Sequence, residues 1–197
     1  MKIKSAVFIS SAPRLADCPA WALPEFAFIG RSNVGKSSMI NMLANKDALA
    51  KVSATPGKTR LLNFFRMNDQ WGLVDLPGYG FAKAAKTDKF DLNEMVGDYP
   101  EGRKTLRTVS VLPPPPPPPQ RIDVDFTTWL GSTGRPFTLI FTKSDKQSPT
   151  KTRANIALFQ ETLAPHLTVA PHTLTSSTKT GDGRNAILRM IADLAVE

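Results

Sequence analysis

Apolar and polar positions alternate along this chain in blocks that predict strands separated by helices. Short apolar runs rich in aromatic and β-branched residues predict strands at 26–29, 61–67, 71–75, 108–112, 137–142 and 172–175. Segments with helical spacing of apolar positions predict helices at 36–44, 88–96, 122–130, 152–163 and 184–196. This alternation is typical of an α/β fold, in which crossover helices join parallel strands.

One connection is too short to hold a crossover helix. Only Asn68-Asp69-Gln70 separates the strand at 61–67 from the strand at 71–75, which favours an antiparallel hairpin. We therefore predict a mostly parallel six-stranded sheet with one antiparallel strand and helices on both faces. The chain has 197 residues and no internal repeat, so we expect a single domain over 1–197, with residues 1–22 as an N-terminal extension.

Composition suggests a partner class and excludes several kinds of protein. The 25 basic and 17 acidic residues leave a net charge of +8, which favours a polyanionic partner such as nucleic acid. A single cysteine, Cys18, excludes an internal disulfide framework and a multi-cysteine zinc site. The apolar stretch Ala6–Ile9 is too short for a secretion signal, and no run reaches the roughly 20 apolar residues of a membrane span. We therefore predict a cytoplasmic protein.

The segment after the first predicted strand matches a phosphate-binding loop. It fits the pattern G-x-x-x-x-G-K-[ST] between a strand and a helix. Its residues are Gly30, Arg31, Ser32, Asn33, Val34, Gly35, Lys36 and Ser37. In such a loop the backbone amides and the helix N-terminus surround phosphate. We expect Lys36 to reach the β- and γ-phosphates and the Ser37 hydroxyl to bind Mg²⁺.

A second motif follows the strand at 71–75. It consists of Asp75, Leu76, Pro77 and Gly78, and its carboxylate is placed at a strand end where it can hold a magnesium-bound water. The Gly78 amide can then sense a γ-phosphate. About 40 residues separate this motif from the phosphate loop, a spacing that favours a nucleotide site over an ordinary turn.

A third motif indicates which base is bound. Thr142, Lys143, Ser144 and Asp145 are similar to the guanine-recognition motif N-K-x-D, with threonine in place of asparagine. A carboxylate at Asp145 can accept from the N1–H and 2-amino groups of guanine, a donor pair that adenine lacks, so it favours GTP. Near the last strand, Thr175, Ser176 and Ser177 are candidates to place a backbone amide against guanine O6.

The loop Thr55-Pro56-Gly57-Lys58-Thr59-Arg60 supplies hydroxyl groups ahead of a strand. One threonine here is expected to complete the magnesium shell when GTP is bound and to release it after hydrolysis. We favour Thr59 over Thr55.

The motifs and their flanking residues form four segments: G-R-S-N-V-G-K-S, T-P-G-K-T-R-L-L-N-F-F, D-L-P-G-Y-G-F-A and T-K-S-D. Together these segments resemble the EngB (YihA/YsxC) family of bacterial ribosome-biogenesis GTPases, in the Era-like branch. The resemblance runs from about Lys4 to the C-terminus and implies a three-layer, Ras-like P-loop GTPase domain. It implies a monomeric switch that acts with Mg²⁺ in assembly of the large (50S) ribosomal subunit, through ribosomal RNA and proteins, and that is required for normal cell division.

The resemblance also assigns the site residues. Nucleotide contacts fall on the three motifs, on the serine turn at 175–177 and on a further segment: Gly57, Lys58, Thr59, Arg60 and Leu61. The implied Mg²⁺ ligands are Ser37, Thr59 and Asp75. Catalytic roles fall on Lys36, Thr59 and Gly78.

Tyr79 occupies the position after the D-x-x-G glycine, where many regulatory GTPases place a glutamine that orients the attacking water. A phenol lacks the paired donor and acceptor of an amide. We therefore predict slow intrinsic turnover, on the order of 10⁻⁴ s⁻¹, which a partner accelerates by completing the site. Asn33 matches an asparagine that helps some related GTPases to hold an activating K⁺, so K⁺ activation is a hypothesis.

Basic residues cluster beside both segments that are expected to switch. The first cluster is Lys51, Lys58, Arg60 and Arg66, and the second is Lys83, Lys86 and Lys89. One interpretation is an RNA-binding surface whose geometry depends on the nucleotide, and the other is a solvated surface that also balances the triphosphate.

Three other functions stay open at this point. The chain could be a GTPase of another Era-like subfamily, a GTP-dependent RNA- or ribosome-binding module with negligible hydrolysis, or a P-loop kinase that uses ATP. Tyr79 keeps the second alternative open, and Asp145 argues against the third.

Seven consecutive prolines, Pro113–Pro119, follow the strand at 108–112. Such a run has no backbone N–H donors and favours an extended polyproline II segment. It is interpreted as a ligand for a proline-recognition domain, as a tolerated loop insertion, or as an irregularity of the sequence. None of these interpretations affects the predicted GTP site.

Overall fold

The computed structural model describes residues 1–50, 61–79, 95–114 and 119–196. The strands are β1 (Ala6–Ala12), β2 (Glu25–Gly30), β3 (Leu62–Met67), β4 (Trp71–Asp75), β5 (Leu106–Leu112), β6 (Phe137–Phe141) and β7 (His172–Thr175). The helices are α1 (Lys36–Ala44), α2 (95–102), α3 (Arg121–Ser132), α4 (Pro149–Leu163) and α5 (Arg184–Ala195). The predicted α/β fold is confirmed. Of the helix predicted at 88–96, residues 88–94 lie outside the described ranges.

The strands form one sheet in the order β1-β3-β4-β2-β5-β6-β7. Strand β3 runs antiparallel to both of its neighbours, β1 and β4. The other pairs, β2 with β4, β2 with β5, β5 with β6 and β6 with β7, are parallel. The predicted sheet, in which one strand runs antiparallel to the others, is therefore confirmed in the directions of its strands.

Strand β1 corrects the predicted strand number, because the described residues form seven strands rather than six. It lies inside the segment 1–22 that the sequence suggested was only an extension. Its apolar residues do not alternate cleanly, since Val7 and Phe8 are both exposed, and its register with β3 shifts between Phe8 and Ser10. Pairing with β3 forms this strand, and a pattern search within the segment could not reveal that partner.

The hairpin between β3 and β4 has the predicted turn. Asn68 and Asp69 have positive φ angles of 53° and 55°, and the Gln70 N–H donates to the Met67 carbonyl at 3.0 Å. This geometry is that of a type I′ turn, whose twist matches that of the paired strands. The Asn68 side chain also accepts from the backbone N–H of Lys4 at 2.7 Å, which holds the start of the chain against the turn.

Alternate residues of the sheet form two hydrophobic cores, one on each face. Phe26 and Phe28 of β2 pack in the cluster that holds the apolar residues of α1 and α5. Ala27 and Ile29 pack in the cluster that holds residues of α2, α3 and α4. All six residues of β2 are buried, as expected for a central parallel strand covered by helices on both faces.

A buried ion pair closes the end of the sheet where β2 begins. Glu25 is fully buried and faces Arg103, whose Nε donates to it at 2.9 Å, and the Tyr99 hydroxyl donates to the same carboxylate. Burial and the neighbouring carboxylate raise the pKa of Tyr99 well above its ordinary value, so it stays a donor. These contacts attach α2 to the edge of the sheet opposite the loop after Gly30.

Candidate nucleotide-binding site

The loop between β2 and α1 has the backbone of a phosphate-binding loop. Asn33 and Gly35 adopt positive φ angles of 64° and 99°, which turn the chain sharply before Lys36 begins the helix. Gly35 is the N-cap residue and offers no side-chain oxygen to the first turn of α1. The N–H groups of that turn therefore remain available to an anion, which the helix dipole also favours.

Gly30 is required at the start of this loop by a close approach to β5. A Cβ atom there would lie 2.8 Å from the Leu112 carbonyl oxygen and 2.8 Å from Val34 Cγ2. Strand β5 ends at Leu112, so the first of the seven prolines comes directly after this contact.

Lys36 connects the phosphate loop to the second motif. Its ammonium contacts Asp75 Oδ1 and donates to the Leu76 carbonyl at 2.8 Å. Both side chains are largely buried, with 10% of Lys36 and 5% of Asp75 exposed. The fold therefore brings together two motifs 39 residues apart in the chain.

Ser37 and Asp75 offer a donor set that suits Mg²⁺. Ser37 lies in the first turn of α1, beside Lys36, and Asp75 ends β4. A hydroxyl and a carboxylate are hard oxygen ligands, and Mg²⁺ sites on phosphates commonly take only one or two ligands from the protein. Among the described residues, no group of three or more acidic, histidine or cysteine side chains is arranged so that it could hold a metal ion.

The third motif is hydrogen-bonded to the phosphate loop. The Thr142 hydroxyl donates to the Val34 carbonyl, and Lys143 Nζ donates to the Asn33 carbonyl at 2.8 Å. A threonine hydroxyl is a sufficient donor for the first of these bonds, which explains how threonine can stand where related motifs have asparagine. The motif that would bind the base is thus held in register with the loop that would bind the phosphates.

Asp145 meets the serine turn after β7. The Ser177 hydroxyl donates to Asp145 Oδ1 at 2.6 Å, and the Ser144 N–H donates to the Ser176 carbonyl at 3.2 Å. The hydrogen bond from Ser177 is the main cause that lowers the pKa of Asp145 below its ordinary value. Asp145 itself is exposed, so an ionised acceptor faces the solvent beside the phosphate loop.

Comparison with known proteins shows to which family this chain belongs. The family described as "50S ribosome-binding GTPase" matches residues 25–143. The chain is 44% identical to a probable GTP-binding protein EngB of Flavobacterium psychrophilum over 98% of this chain and 95% of that protein. It is 43% identical to the same kind of protein from Bacteroides thetaiotaomicron over 100% of this chain and 98% of that protein. This chain belongs to the EngB family of GTPases.

The fold agrees with this assignment. The crystal structure of a probable GTP-binding protein engB superposes with a TM-score of 0.67 at 22% identity, covering 87% of this chain and 98% of that one. The resemblance to the EngB family that the sequence motifs predicted is confirmed.

Within the described ranges, no helix is both long enough and apolar enough to cross a membrane.

Part of the EngB site predicted from the sequence lies outside the described residues. This part comprises Gly57, Lys58, Thr59 and Arg60, and it includes the favoured magnesium ligand. Most of the two basic clusters also lies there, namely Lys51, Lys58, Arg60, Lys83, Lys86 and Lys89. Leu61 is described and exposed directly before β3, and Arg66 forms an ion pair with Asp69 at 2.9 Å.

Sequence reasoning missed one group in this EngB chain that touches both the phosphate loop and the residue directly after the second motif. Asp123, in the first turn of α3, contacts Arg31 of the phosphate loop and Tyr79 after Gly78. The available signal was the pattern of an acidic residue in the first turn of a predicted helix, and in the structure the Gln120 N–H donates to Asp123 Oδ2 at 3.0 Å. That pattern predicts a helix start but does not predict contact with the phosphate loop.

Gly183 offers a stability test of the serine turn in this family member. It has a φ of +80°, and a Cβ atom there would lie 2.0 Å from the Thr175 carbonyl oxygen. We expect Gly183→Ala to lower the free energy of unfolding by about 3 kcal/mol or more, because left-handed backbone and overpacking add. The same change is expected to weaken GTP binding, since it displaces residues 175–177.

Gly181→Ala is the matched control for that change. Gly181 has a similar φ of +81°, but a Cβ atom there would meet nothing within 4 Å. We expect a loss of about 1 kcal/mol in urea unfolding and little change in GTP affinity. Equal losses in the two variants would show that the contact with Thr175 does not matter.

Proposed function

We propose that this chain binds GTP with Mg²⁺, hydrolyses it slowly, and acts as a nucleotide-dependent switch on the large (50S) ribosomal subunit during its assembly. The observation that carries the proposal is the convergence of three sequence-distant motifs on one edge of the sheet, through the contacts of Lys36 with Asp75 and of Lys143 with Asn33. That edge holds the carboxyl ends of the parallel strands, where α/β proteins bind their ligands.

In this proposal each described residue has a defined role. The N–H groups of the phosphate loop and the first turn of α1 bind the phosphates, and Lys36 moves its contact from Asp75 to the β- and γ-phosphates. Asp145 accepts from the N1–H and 2-amino groups of guanine. Gly78 donates its N–H to the γ-phosphate, so this contact distinguishes GTP from GDP.

Ser37 and Asp75 are the described residues that would hold Mg²⁺, and Thr59 is the third ligand proposed from the family pattern. When bound, the ion supplies charge neutralisation at the phosphate oxygens where negative charge increases during hydrolysis. Asp75 is buried beside Lys36, which keeps this carboxylate ordered close to the phosphate loop.

Slow hydrolysis follows from the position of Tyr79. Its ring is buried and stacks on Phe126 at a centroid distance of 4.2 Å, and its hydroxyl donates to Asp123 at 3.1 Å. This side chain is therefore engaged with α3 and does not take the role of a water-orienting glutamine. An intrinsic rate on the order of 10⁻⁴ s⁻¹ is expected, with acceleration when the ribosomal partner completes the site.

The test measures phosphate release with and without purified 50S subunits, using GTP and, for comparison, ATP. We expect slow release from GTP alone, faster release with subunits and none from ATP. Binding of the protein to subunits with a non-hydrolysable GTP analogue, but no release of phosphate under any condition, would favour the alternative of a non-hydrolysing binding module. Normal ribosome profiles after depletion of the protein would contradict a role in assembly.

We further propose that the basic clusters beside the two switch segments contact ribosomal RNA. This proposal rests on the sequence, since six of the seven basic residues lie outside the described ranges. Replacing Lys83, Lys86 and Lys89 by glutamate should abolish association with the subunit without loss of GTP affinity. Unchanged association would contradict an RNA contact there.

Two finer points extend the proposal. We propose that K⁺ activates hydrolysis through Asn33, whose carbonyl already accepts from Lys143 and whose side chain is exposed. Equal rates in KCl and NaCl would contradict this.

We also propose that the protein acts as a monomer in the cytoplasm, where its role in cell division follows from the supply of large subunits.

A further inference from the structure

A fully buried carboxylate joins the phosphate loop to the motif that would sense the γ-phosphate. Asp123 is 0% exposed and lies in the first turn of α3. Its Oδ1 accepts from the Tyr79 hydroxyl at 3.1 Å, and its Oδ2 accepts from the Gln120 N–H at 3.0 Å. A buried carboxylate needs such partners, because an unpaired one would be strongly destabilising.

The phosphate loop reaches the same carboxylate through Arg31. Arg31 Nη1 lies 3.6 Å from Asp123 Oδ2 and donates to Gln120 Oε1 at 2.6 Å. Arg31 immediately follows Gly30, the last residue of β2. The start of α3 therefore holds one end of the phosphate loop and, through Tyr79, the chain directly after Gly78.

Tyr79 is fixed more firmly than a single hydrogen bond would achieve. Its ring is nearly parallel to that of Phe126, with 5° between the planes, and the side chain is buried. Burial and the adjacent Asp123 carboxylate raise the pKa of Tyr79 above its ordinary value, so the hydroxyl remains a donor at physiological pH.

The backbone orientation of Gly78 depends on its two neighbours. Glycine has no side chain of its own to restrict φ, whereas Pro77 before it has a fixed φ. On the other side, the anchored Tyr79 side chain restricts the orientation of the peptide group that joins Gly78 to Tyr79. A tethered Tyr79 thus reduces the conformations open to the Gly78 N–H.

We propose that Asp123 is a positioning residue for recognition of the γ-phosphate, acting through Tyr79 on Gly78 and through Arg31 on the phosphate loop. The inference rests on the proposed function, because it assumes that Gly78 meets a γ-phosphate. It predicts that loss of the Tyr79 hydroxyl weakens binding of GTP but leaves binding of GDP intact, since GDP has no group at that position.

Tyr79→Phe is the decisive variant, because it removes the hydroxyl and keeps the ring that stacks on Phe126. Fluorescent GDP and a fluorescent non-hydrolysable GTP analogue are titrated with the full chain in the presence of Mg²⁺. We expect affinity for the analogue to fall about tenfold and affinity for GDP to stay within about twofold. Asp123→Asn should shift the ratio in the same direction, and adding Tyr79→Phe to Asp123→Asn should change the ratio little further, because the Tyr79 hydroxyl acts through Asp123.

Tyr99→Phe is the matched control. It also removes a tyrosine hydroxyl that donates to a fully buried carboxylate, Glu25, but at the opposite end of β2. It should lower the melting temperature and leave the ratio of the two affinities unchanged.

Four outcomes have distinct meanings. An unchanged ratio in a folded Tyr79→Phe variant would overturn the inference, and so would an equal shift in Tyr99→Phe. If the wild-type chain bound neither nucleotide, the proposed function would fail and this inference with it. If Asp123→Asn does not fold, Tyr79→Phe decides alone.

Discussion

Replacing Lys36 with alanine is expected to lower the affinity for Mg²⁺-GTP by at least about 100-fold. The ammonium is the charged group of the phosphate loop that can reach the β- and γ-phosphates, and charge-assisted contacts to phosphate are among the strongest hydrogen bonds in proteins. Titration of a fluorescent GTP analogue measures this effect directly.

The same replacement has a second, separate consequence for stability. Lys36 and Asp75 are 10% and 5% exposed, so removal of the ammonium leaves a buried carboxylate without its cation. Loss of one partner of a buried pair commonly costs about 3–5 kcal/mol. We expect a fall in the melting temperature measured without nucleotide, and addition of Mg²⁺-GTP should recover little of it because binding is lost.

Lys151→Ala is the control for both measurements. Lys151 is exposed in the first turn of α4 and carries the same charge. It should leave the GTP affinity and the melting temperature close to wild type. A Lys36→Ala variant that kept its GTP affinity within about threefold would show that the phosphates bind elsewhere.

Asp145→Asn should change the base that the site prefers. The asparagine amide offers one acceptor and one donor in place of two acceptors, so its amino group would face the 2-amino group of guanine. Xanthine carries an oxygen at that position, which the new amide can donate to. We expect GTP affinity to fall by about 10²–10³-fold and affinity for xanthosine triphosphate to rise until it exceeds that for GTP.

Each triphosphate is made to compete with a labelled nucleotide for the site, and the two apparent affinities measure this change in base preference. Asp193→Asn, an exposed carboxylate on α5, makes the same chemical change away from the site and should leave the preference for GTP intact. Loss of binding to both nucleotides in a folded Asp145→Asn variant would contradict the assigned contact with the base edge.

Much of the fold could be predicted because its elements are locally encoded. Helix α1 begins and ends at the predicted residues, Lys36 and Ala44, since the glycine before it and the apolar spacing within it are both local signals. Strand β7 also has the predicted bounds, and Asn68 and Asp69 form the predicted turn. Strand β1 was missed because its formation depends on pairing with β3, which is distant in the sequence.

The candidate site shows the same difference between local sequence signals and contacts that depend on distant parts of the chain. The three motifs, and the phosphate and guanine binding that they predict, could be recognised from the sequence alone, because each motif occupies only a few consecutive positions. Which of their residues touch one another depends on the tertiary structure. The bonds of Ser177 to Asp145 and of Tyr79 to Asp123 span 32 and 44 residues. They arise because β4, β2, β5, β6 and β7 are neighbours in one sheet, and strand order depends on packing of the whole chain rather than on any local pattern.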